Sequence, residues 1–158
     1  MLRELLQAPW TIRAALLVTA AALAIAVGTD LKQRRILNWI TVPALALVIG
    51  LFGTAGGWPL VKNSLIGMSV CAIPMVLAAV PGWIGWGDAK LMAVCGAAAG
   101  FPAAVTVLLF VTIAGGLQAI VTLVVARVRG FPPPRHVPYA CSIALGTLAA
   151  FLVPVSFP

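Results

Sequence analysis

Long apolar runs, separated by short polar or turn-forming gaps, fill almost the whole chain. A helix of about 20 mostly apolar residues, roughly 17–25, is enough to cross a bilayer. Measured against that length, the runs predict six spans, near residues 11–29, 38–53, 61–80, 88–100, 102–126 and 138–155. A backbone in hydrocarbon must satisfy its own hydrogen bonds, and we find no strands of about ten residues with the alternating polarity of a barrel. The expected fold is all-α: a polytopic membrane protein with about six transmembrane helices in one domain, 1–158.

The gaps contain residues that end or redirect a helix. A basic cluster lies at 32–35, a turn-forming cluster occupies 54–59, and three consecutive prolines at 132–134 predict a stiff extended loop. The fourth predicted span is short, so we expect it to be buried among the others or to begin within 85–88.

The first apolar run, 14–28, follows two arginines and contains small residues, as a cleavable signal peptide would. However, Asp30 and the basic cluster follow directly, and five more apolar runs come after them. We therefore interpret this run as a retained first span.

Composition supports a membrane protein. Hydrophobic residues make up 63% of the 158 residues and charged residues 8%, against about 25% charged in soluble domains. A soluble domain of this length would expose far more apolar surface than soluble monomers carry. The net charge of +7 comes from basic residues in the gaps between spans, where such residues set topology, so we do not expect nucleic acid as a partner.

The basic residues also predict the orientation. If the gap after the first span is cytoplasmic, seven basic residues lie on that side and three on the other. The seven are Lys32, Arg34, Arg35, Lys90, Arg127, Arg129 and Arg135, and the three are Arg3, Arg13 and Lys62. The positive-inside rule then places both termini on the non-cytoplasmic side.

Two of the three acidic residues stand at the edges of apolar runs: Asp30 closes the first span and Asp88 opens the fourth, whereas Glu4 lies in the polar N-terminal stretch. Taken singly, Asp30 fits an interfacial charge paired with Lys32 or Arg34, and Asp88 fits a helix-capping acid. Taken together, two acids on the same predicted face and at the same depth indicate a shared function.

Two clusters of small residues, at 96–100 and 115–116, predict close helix packing.

A pair of carboxylates can hydrolyse an amide without a metal. One takes a proton from water while the other, kept protonated, donates to the scissile carbonyl, and the pair would hold one proton near neutral pH. Gly85 and Gly87 remove side chains beside Asp88, which would leave room for a peptide backbone.

Other chemistries lack their residues. His136 is the only histidine and lies in the proline-rich loop, far in sequence from a plausible serine or cysteine nucleophile. The three cysteines, Cys71, Cys95 and Cys141, lie within apolar runs and fit small buried residues. No HExxH or CxxC motif occurs, so we expect neither a metal nor another cofactor.

Three segments carry a family resemblance. Residues 30–38 (DLKQRRILN) resemble the first aspartate motif of the type IV prepilin peptidases, in which asparagine follows the acid by eight positions. Residues 85–91 (GWGDAKL) resemble the GxGD motif of the same family, and residues 138–146 (PYACSIALG) are similar to its last-span segment. The segments occur in the family's order and spacing.

This resemblance implies that Asp30 and Asp88 are catalytic aspartates. It also implies cleavage of the short basic leader of prepilin-like proteins at the cytoplasmic face of the inner membrane. Leu37 replaces the family's usual proline, which puts the rigidity of that turn in doubt. The paired-cysteine domain of bifunctional members has no counterpart here, so the chain resembles the short form of tight-adherence (Flp) pilus systems or archaeal preflagellin peptidases, and methyl transfer is not expected.

Several residues around the aspartates have two interpretations. Asn38 caps the second span or orients the Asp30 loop, with capping favoured. Lys90 raises the potential around Asp88 or is an interfacial charge, and Arg35 contacts substrate or sets topology.

Two alternatives remain from the sequence: a proton-coupled transporter with the aspartates as relay groups, and a presenilin-like intramembrane peptidase. The sequence leaves open the substrate, the choice of acid and base, and whether the chain forms a homo-oligomer.

Overall fold

The computed structural model describes residues 9–33, 36–130 and 139–152, and these form five α-helices. The helices are α1 (Trp10–Gln33), α2 (Asn38–Ala79), α3 (Trp86–Ala99), α4 (Ala103–Val128) and α5 (Tyr139–Leu152). The described ranges contain no strand, which confirms the all-α fold class for this part of the chain. By length and composition, α1, α2 and α4 could each cross a membrane, and α5 is a shorter apolar helix.

The predicted second and third spans lie in α2, a 42-residue element that is interrupted at Gly57. Gly57 has φ 63° and ψ −153°, a backbone conformation that is essentially restricted to glycine. The sequence predicts a turn over 54–59, but the structure confines the break to this one residue. Pro59 follows in the first turn after the break, where a missing backbone N–H costs no helical hydrogen bond.

The two arms of α2, residues 38–56 and 58–79, run in opposite directions along α3. In the first arm, Ile40 and Ala44 cluster with Val94, and residues 48 and 52 cluster with residues 97 and 98. In the second arm the order reverses: Asn63 Oδ1, early in this arm, accepts a hydrogen bond of 3.1 Å from the Phe101 N–H just after α3, whereas the later Cys71 lies against Gly96, farther back along α3. The interruption at Gly57 therefore reverses the chain.

Helix α3 is the centre of the bundle, and every residue from 91 to 100 is buried. The expectation for the short fourth span is confirmed in both respects, since α3 is surrounded by the other helices and begins at Trp86. At 1.5 Å per residue its 14 residues rise only about 21 Å, less than the roughly 30 Å hydrocarbon core. Burial in protein removes the need for α3 to match the lipid.

The close packing of α2 on α3 depends on glycine. A Cβ atom added to Gly67 would lie 2.7 Å from the Cα of Gly100, and one added to Gly96 would lie 2.7 Å from the Cβ of Cys71. Both distances are far below van der Waals contact, so the helices can approach this closely only where side chains are absent. The packing expected from 96–100 is confirmed.

The second small-residue pattern, 115–116, gives a mixed result. Gly115 is buried against the Tyr139 side chain, as expected of a packing glycine. Gly116 is exposed, and a Cβ there would have no atom within 4 Å outside its own helix, so the expectation is wrong for this residue. Adjacent helix positions point 100° apart, and only one of the two faces α5.

The cysteines fit the interpretation as small apolar residues. Cys71 and Cys95 are buried, Cys141 is half-buried, and all three are free thiols. The Cys71 thiol donates a hydrogen bond to the Ala104 carbonyl at 3.3 Å, which links α2 to α4.

Replacing Gly96 with valine should destabilise the protein, because the new side chain would meet Cys71 and the Gly67 carbonyl. Overpacking a well-packed core costs about 1–3 kcal/mol, and each kcal/mol lowers Tm by about 2–4 °C in a chain of roughly this length. Thermal unfolding in detergent, followed by circular dichroism, measures the shift. Gly50→Val is the matched control, because Gly50 is exposed within α2 with no atom near its Cβ position. Equal shifts in the two variants would contradict the packing account.

Candidate active site

Asp30 lies in the last turn of α1, and α1 continues three residues beyond it to Gln33. Its side chain is buried, with 8% exposed, and its Oδ2 atom accepts a hydrogen bond of 3.2 Å from the backbone N–H of Ala140. Ala140 is the second residue of α5, and the N–H groups of a first helical turn have no partner within their own helix. The partial positive charge at that helix end also favours a carboxylate.

The interpretation of Asp30 as an interfacial charge paired with a lysine does not fit this geometry. Lys32 is exposed, and within residues 9–33, 36–130 and 139–152 no cationic group lies within ion-pair distance of Asp30. Arg34, the other suggested partner, lies outside the described residues. The donor that the carboxylate uses is 110 residues away in sequence, and the only signal for it was the last-span resemblance at 138–146.

Asp88 lies in the first turn of α3, where Gly85 is the N-cap. The Gly85 N–H donates to Asp88 Oδ2 at 3.1 Å, and the Asp88 N–H donates to the Gly85 carbonyl at 3.1 Å. This reciprocal pair satisfies two backbone groups at the helix start and places the acid where the helix dipole favours it. The predicted helix-capping role of Asp88 is therefore present in the structure, and its side chain is only partly buried.

The two glycines of the 85–88 segment bring parts of this chain close together. A Cβ on Gly85 would lie 2.9 Å from Asp88 Oδ2, and a Cβ on Gly87 would lie 2.7 Å from the Cβ of Ile36. The space that the sequence interpretation assigned to a substrate backbone is thus occupied, at these two points, by the Asp88 carboxylate and by Ile36. Gly87 allows Ile36, which lies shortly before α2, to pack on the start of α3.

Asp30 and Asp88 line the same cleft, which has a volume of about 340 Å³. The remaining lining residues come from the start of α2 and the start of α3: Ile36, Leu37, Asn38, Gly85, Trp86 and Gly87. The fold therefore brings together two acids from different helices, and it surrounds them with the residues that the two motifs contain.

Asn38 and Lys90 contact each other. Lys90 Nζ donates a hydrogen bond of 2.8 Å to Asn38 Oδ1, and this bond ties the start of α2 to α3 across 52 residues of sequence. The favoured prediction that Asn38 caps the second span is wrong: the N-cap is Leu37, in an extended conformation, and it makes no side-chain cap bond. Leu37 thus adopts the extended backbone of an N-cap without proline. Arg35 and His136 lie outside the described residues.

Comparison with known proteins identifies the family of this chain. A search of curated proteins and a search of solved structures gave no match. A sequence model described as the type IV leader peptidase family matches residues 17–120. The matched region is more than half of the chain and contains both aspartates, the cleft residues and α2 to α3. This chain belongs to the type IV leader peptidase family.

Proposed function

We propose that this chain is a membrane-embedded aspartic endopeptidase that removes the short basic leader of prepilin-like proteins. The observation that carries this proposal is the single cleft lined by both Asp30 and Asp88. Membership of the type IV leader peptidase family supports a peptidase, and the three long apolar helices support an integral membrane protein.

The hydrogen bonds of the two aspartates suit a shared reaction with water. In each carboxylate, Oδ2 accepts a backbone N–H, from Ala140 for Asp30 and from Gly85 for Asp88. The structure gives neither Oδ1 atom a hydrogen-bond partner among the described residues, which leaves both for water and substrate. One carboxylate would then accept a proton from the attacking water while the other donates to the carbonyl oxygen of the scissile bond. The two titrate as a unit, so neither is assigned as the base.

The surroundings of the pair are suited to a peptide in extended form. Ile36, Leu37 and Trp86 supply apolar surface, and Trp86 is 56% exposed at the cleft. The Lys90–Asn38 hydrogen bond holds the start of α2 beside α3, so it supports the wall of the cleft rather than the reacting atoms. Arg35 remains a predicted substrate contact or topology signal.

The position of the aspartates favours a peptidase over a proton-coupled transporter. Asp30 is in the last turn of α1 and Asp88 is in the first turn of α3, so both acids lie at helix ends. Transporters usually bind their coupling ions near the bilayer midplane, on broken helices. A cleft at helix ends is better placed to reach a bond at the membrane boundary.

We further propose six spans in the inner membrane: α1, the two arms of α2, α3, α4 and α5. The chain reversal at Gly57 divides α2 into arms that each rise roughly 30 Å, about the thickness of the hydrocarbon core. The seven-to-three distribution of basic residues supports an orientation with the cleft at the cytoplasmic face and both termini on the opposite side.

Topology reporters test this orientation. A reporter fused after Arg35 or after Arg129 should be cytoplasmic, and one fused near Gly56 should be external, because the basic residues retain the first two positions inside. Paired phosphatase and fluorescent-protein fusions at the same sites provide the measurement. An external signal at Arg35 would overturn the assigned face of the cleft.

Removing either carboxylate should abolish cleavage. Asp30→Asn and Asp88→Asn keep the shape and remove the acid–base chemistry, so each should lower the cleavage rate by about 10²–10⁴-fold. The double variant should be no slower than either single one, because members of one catalytic unit are not additive.

Leader removal from co-expressed prepilins, followed on a gel beside immunoblots of the membrane fraction, measures this loss. Glu4→Gln is the control, since it removes the third acid of the chain and leaves the pair intact. Strong residual turnover in Asp88→Asn would refute the paired mechanism.

The place of the cut should follow the membrane boundary. A bond inside a spanning helix is shielded by helical hydrogen bonds, and unwinding it in lipid costs several kcal/mol per unsatisfied group. Cleavage should therefore occur within about three residues of the cytoplasmic start of the substrate's apolar helix, and four leucines inserted there should stop cleavage at the original bond. Mass spectrometry of the new N-terminus locates the cut, with four leucines inserted at the far end of the same helix as the control. Cleavage retained at the buried bond would contradict a boundary-level site.

A further inference from the structure

The backbone N–H of Ala140 donates a hydrogen bond to Asp30, and the surroundings of α5 hold this N–H in position. Among the described residues, the Asp30 carboxylate accepts one hydrogen bond, from the Ala140 N–H of α5, and Ala140 itself is completely buried. The position of this N–H depends on where the first turn of α5 lies. Two contacts with α4 determine that place.

The first contact is between Tyr139 and Gly115. A Cβ atom on Gly115 would clash with the Tyr139 hydroxyl and would lie 3.0 Å from the Cε2 atom of the same ring. The phenol ring therefore occupies the space that a side chain at 115 would need. Tyr139 is the residue directly before Ala140, so a shift of the Tyr139 backbone that relieved a clash at its ring would also move the Ala140 N–H.

The second contact is a polar bond within an apolar interface. Ser142 Oγ donates a hydrogen bond to Gln118 Oε1, and Ser142 is 1% exposed. Residues three apart lie on the same face of a helix, so Gly115 and Gln118 form one surface of α4, and Tyr139 and Ser142 form the opposing surface of α5. The two contacts flank Ala140 on both sides along the chain.

We propose that the first turn of α5 positions the Asp30 side chain, and that contacts with Gly115 and Gln118 of α4 hold this turn in position. This inference rests on the proposed function, because it assigns a role in the same reaction. α5 does not supply a reacting group. It supplies the donor that holds one oxygen of Asp30, so that the other oxygen faces the cleft and Asp88.

The expected effect of losing this donor is large enough to measure. A hydrogen bond to a charged group corresponds to about a tenfold to hundredfold change in rate when it is lost from the reacting arrangement. A misplacement of about 1 Å at a reacting group has an effect of similar size. The cleft residues that would contact substrate are not altered, so kcat should fall and KM should stay within about twofold.

The direct test replaces the Ala140 amide with an ester, by incorporating lactic acid at position 140. This change removes the N–H and keeps the side chain. The matched control is the same replacement at Ala144, in the same helix, where the lost N–H belongs to a bond within α5 rather than to Asp30. The position 140 ester should lower kcat by about 10–100-fold relative to the position 144 ester, at similar Tm. Equal kcat values for the two esters, within about threefold, would overturn the proposal.

The variant Gly115→Ala tests the role of α4 independently and needs only ordinary mutagenesis. Its methyl group should displace the Tyr139 ring and lower kcat, whereas Gly116→Ala adds the same atom one position along α4, where no atom lies within 4 Å. Wild-type kcat in Gly115→Ala would overturn the role of α4.

The two proposals fail in different ways. Leader cleavage by the wild-type protein and its loss in Asp30→Asn, measured in the same assay, test the proposed function. If both hold and the esters and glycine variants match their controls, only the positioning role is refuted.

Discussion

A carboxylate placed in an apolar helical bundle needs hydrogen-bond donors, and in this protein the donors are unpaired N–H groups at the starts of helices. Asp88 accepts the N–H of Gly85 at the beginning of its own helix, and Asp30 accepts the N–H of Ala140 at the beginning of α5. These groups have no partner inside their helices and carry partial positive charge. The location of the cleft therefore depends on where α3 and α5 begin, and both starts have to meet the end of α1.

The packing around α3 makes that meeting possible. α3 is short and buried from residue 91 onward, and Gly67 and Gly96 let the second arm of α2 lie against its backbone. The reversal at Gly57 returns the chain so that both arms pack on the same helix. At the cleft, Gly87 lets Ile36 approach the start of α3. Small residues thus bring the two motif segments into contact, while the large apolar residues cover the outside.

This arrangement gives the aspartates different surroundings for one proposed task. Asp30 is buried between α1 and α5, whereas Asp88 is partly exposed at the cleft. Each keeps one oxygen on a backbone donor. These bonds hold both carboxylates in place before any substrate arrives, which is what the proposed water activation would require. The exposed Lys90–Asn38 hydrogen bond joins the start of α2 to α3 beside the cleft.

The sequence by itself determined the apolar helical character, the two candidate acids and the GxGD segment, because length, composition and short motifs are local properties of the chain. It predicted a capping role for Asp88, which the structure contains, and one for Asn38, which the structure does not. The partners of Asp30 and Asn38 are Ala140 and Lys90, at separations of 110 and 52 residues. No periodicity or local pattern specifies such pairs. Only the packing of the other four helices around α3 decided which helix start would hold Asp30, because that donor is a backbone group, and every residue type except proline carries one.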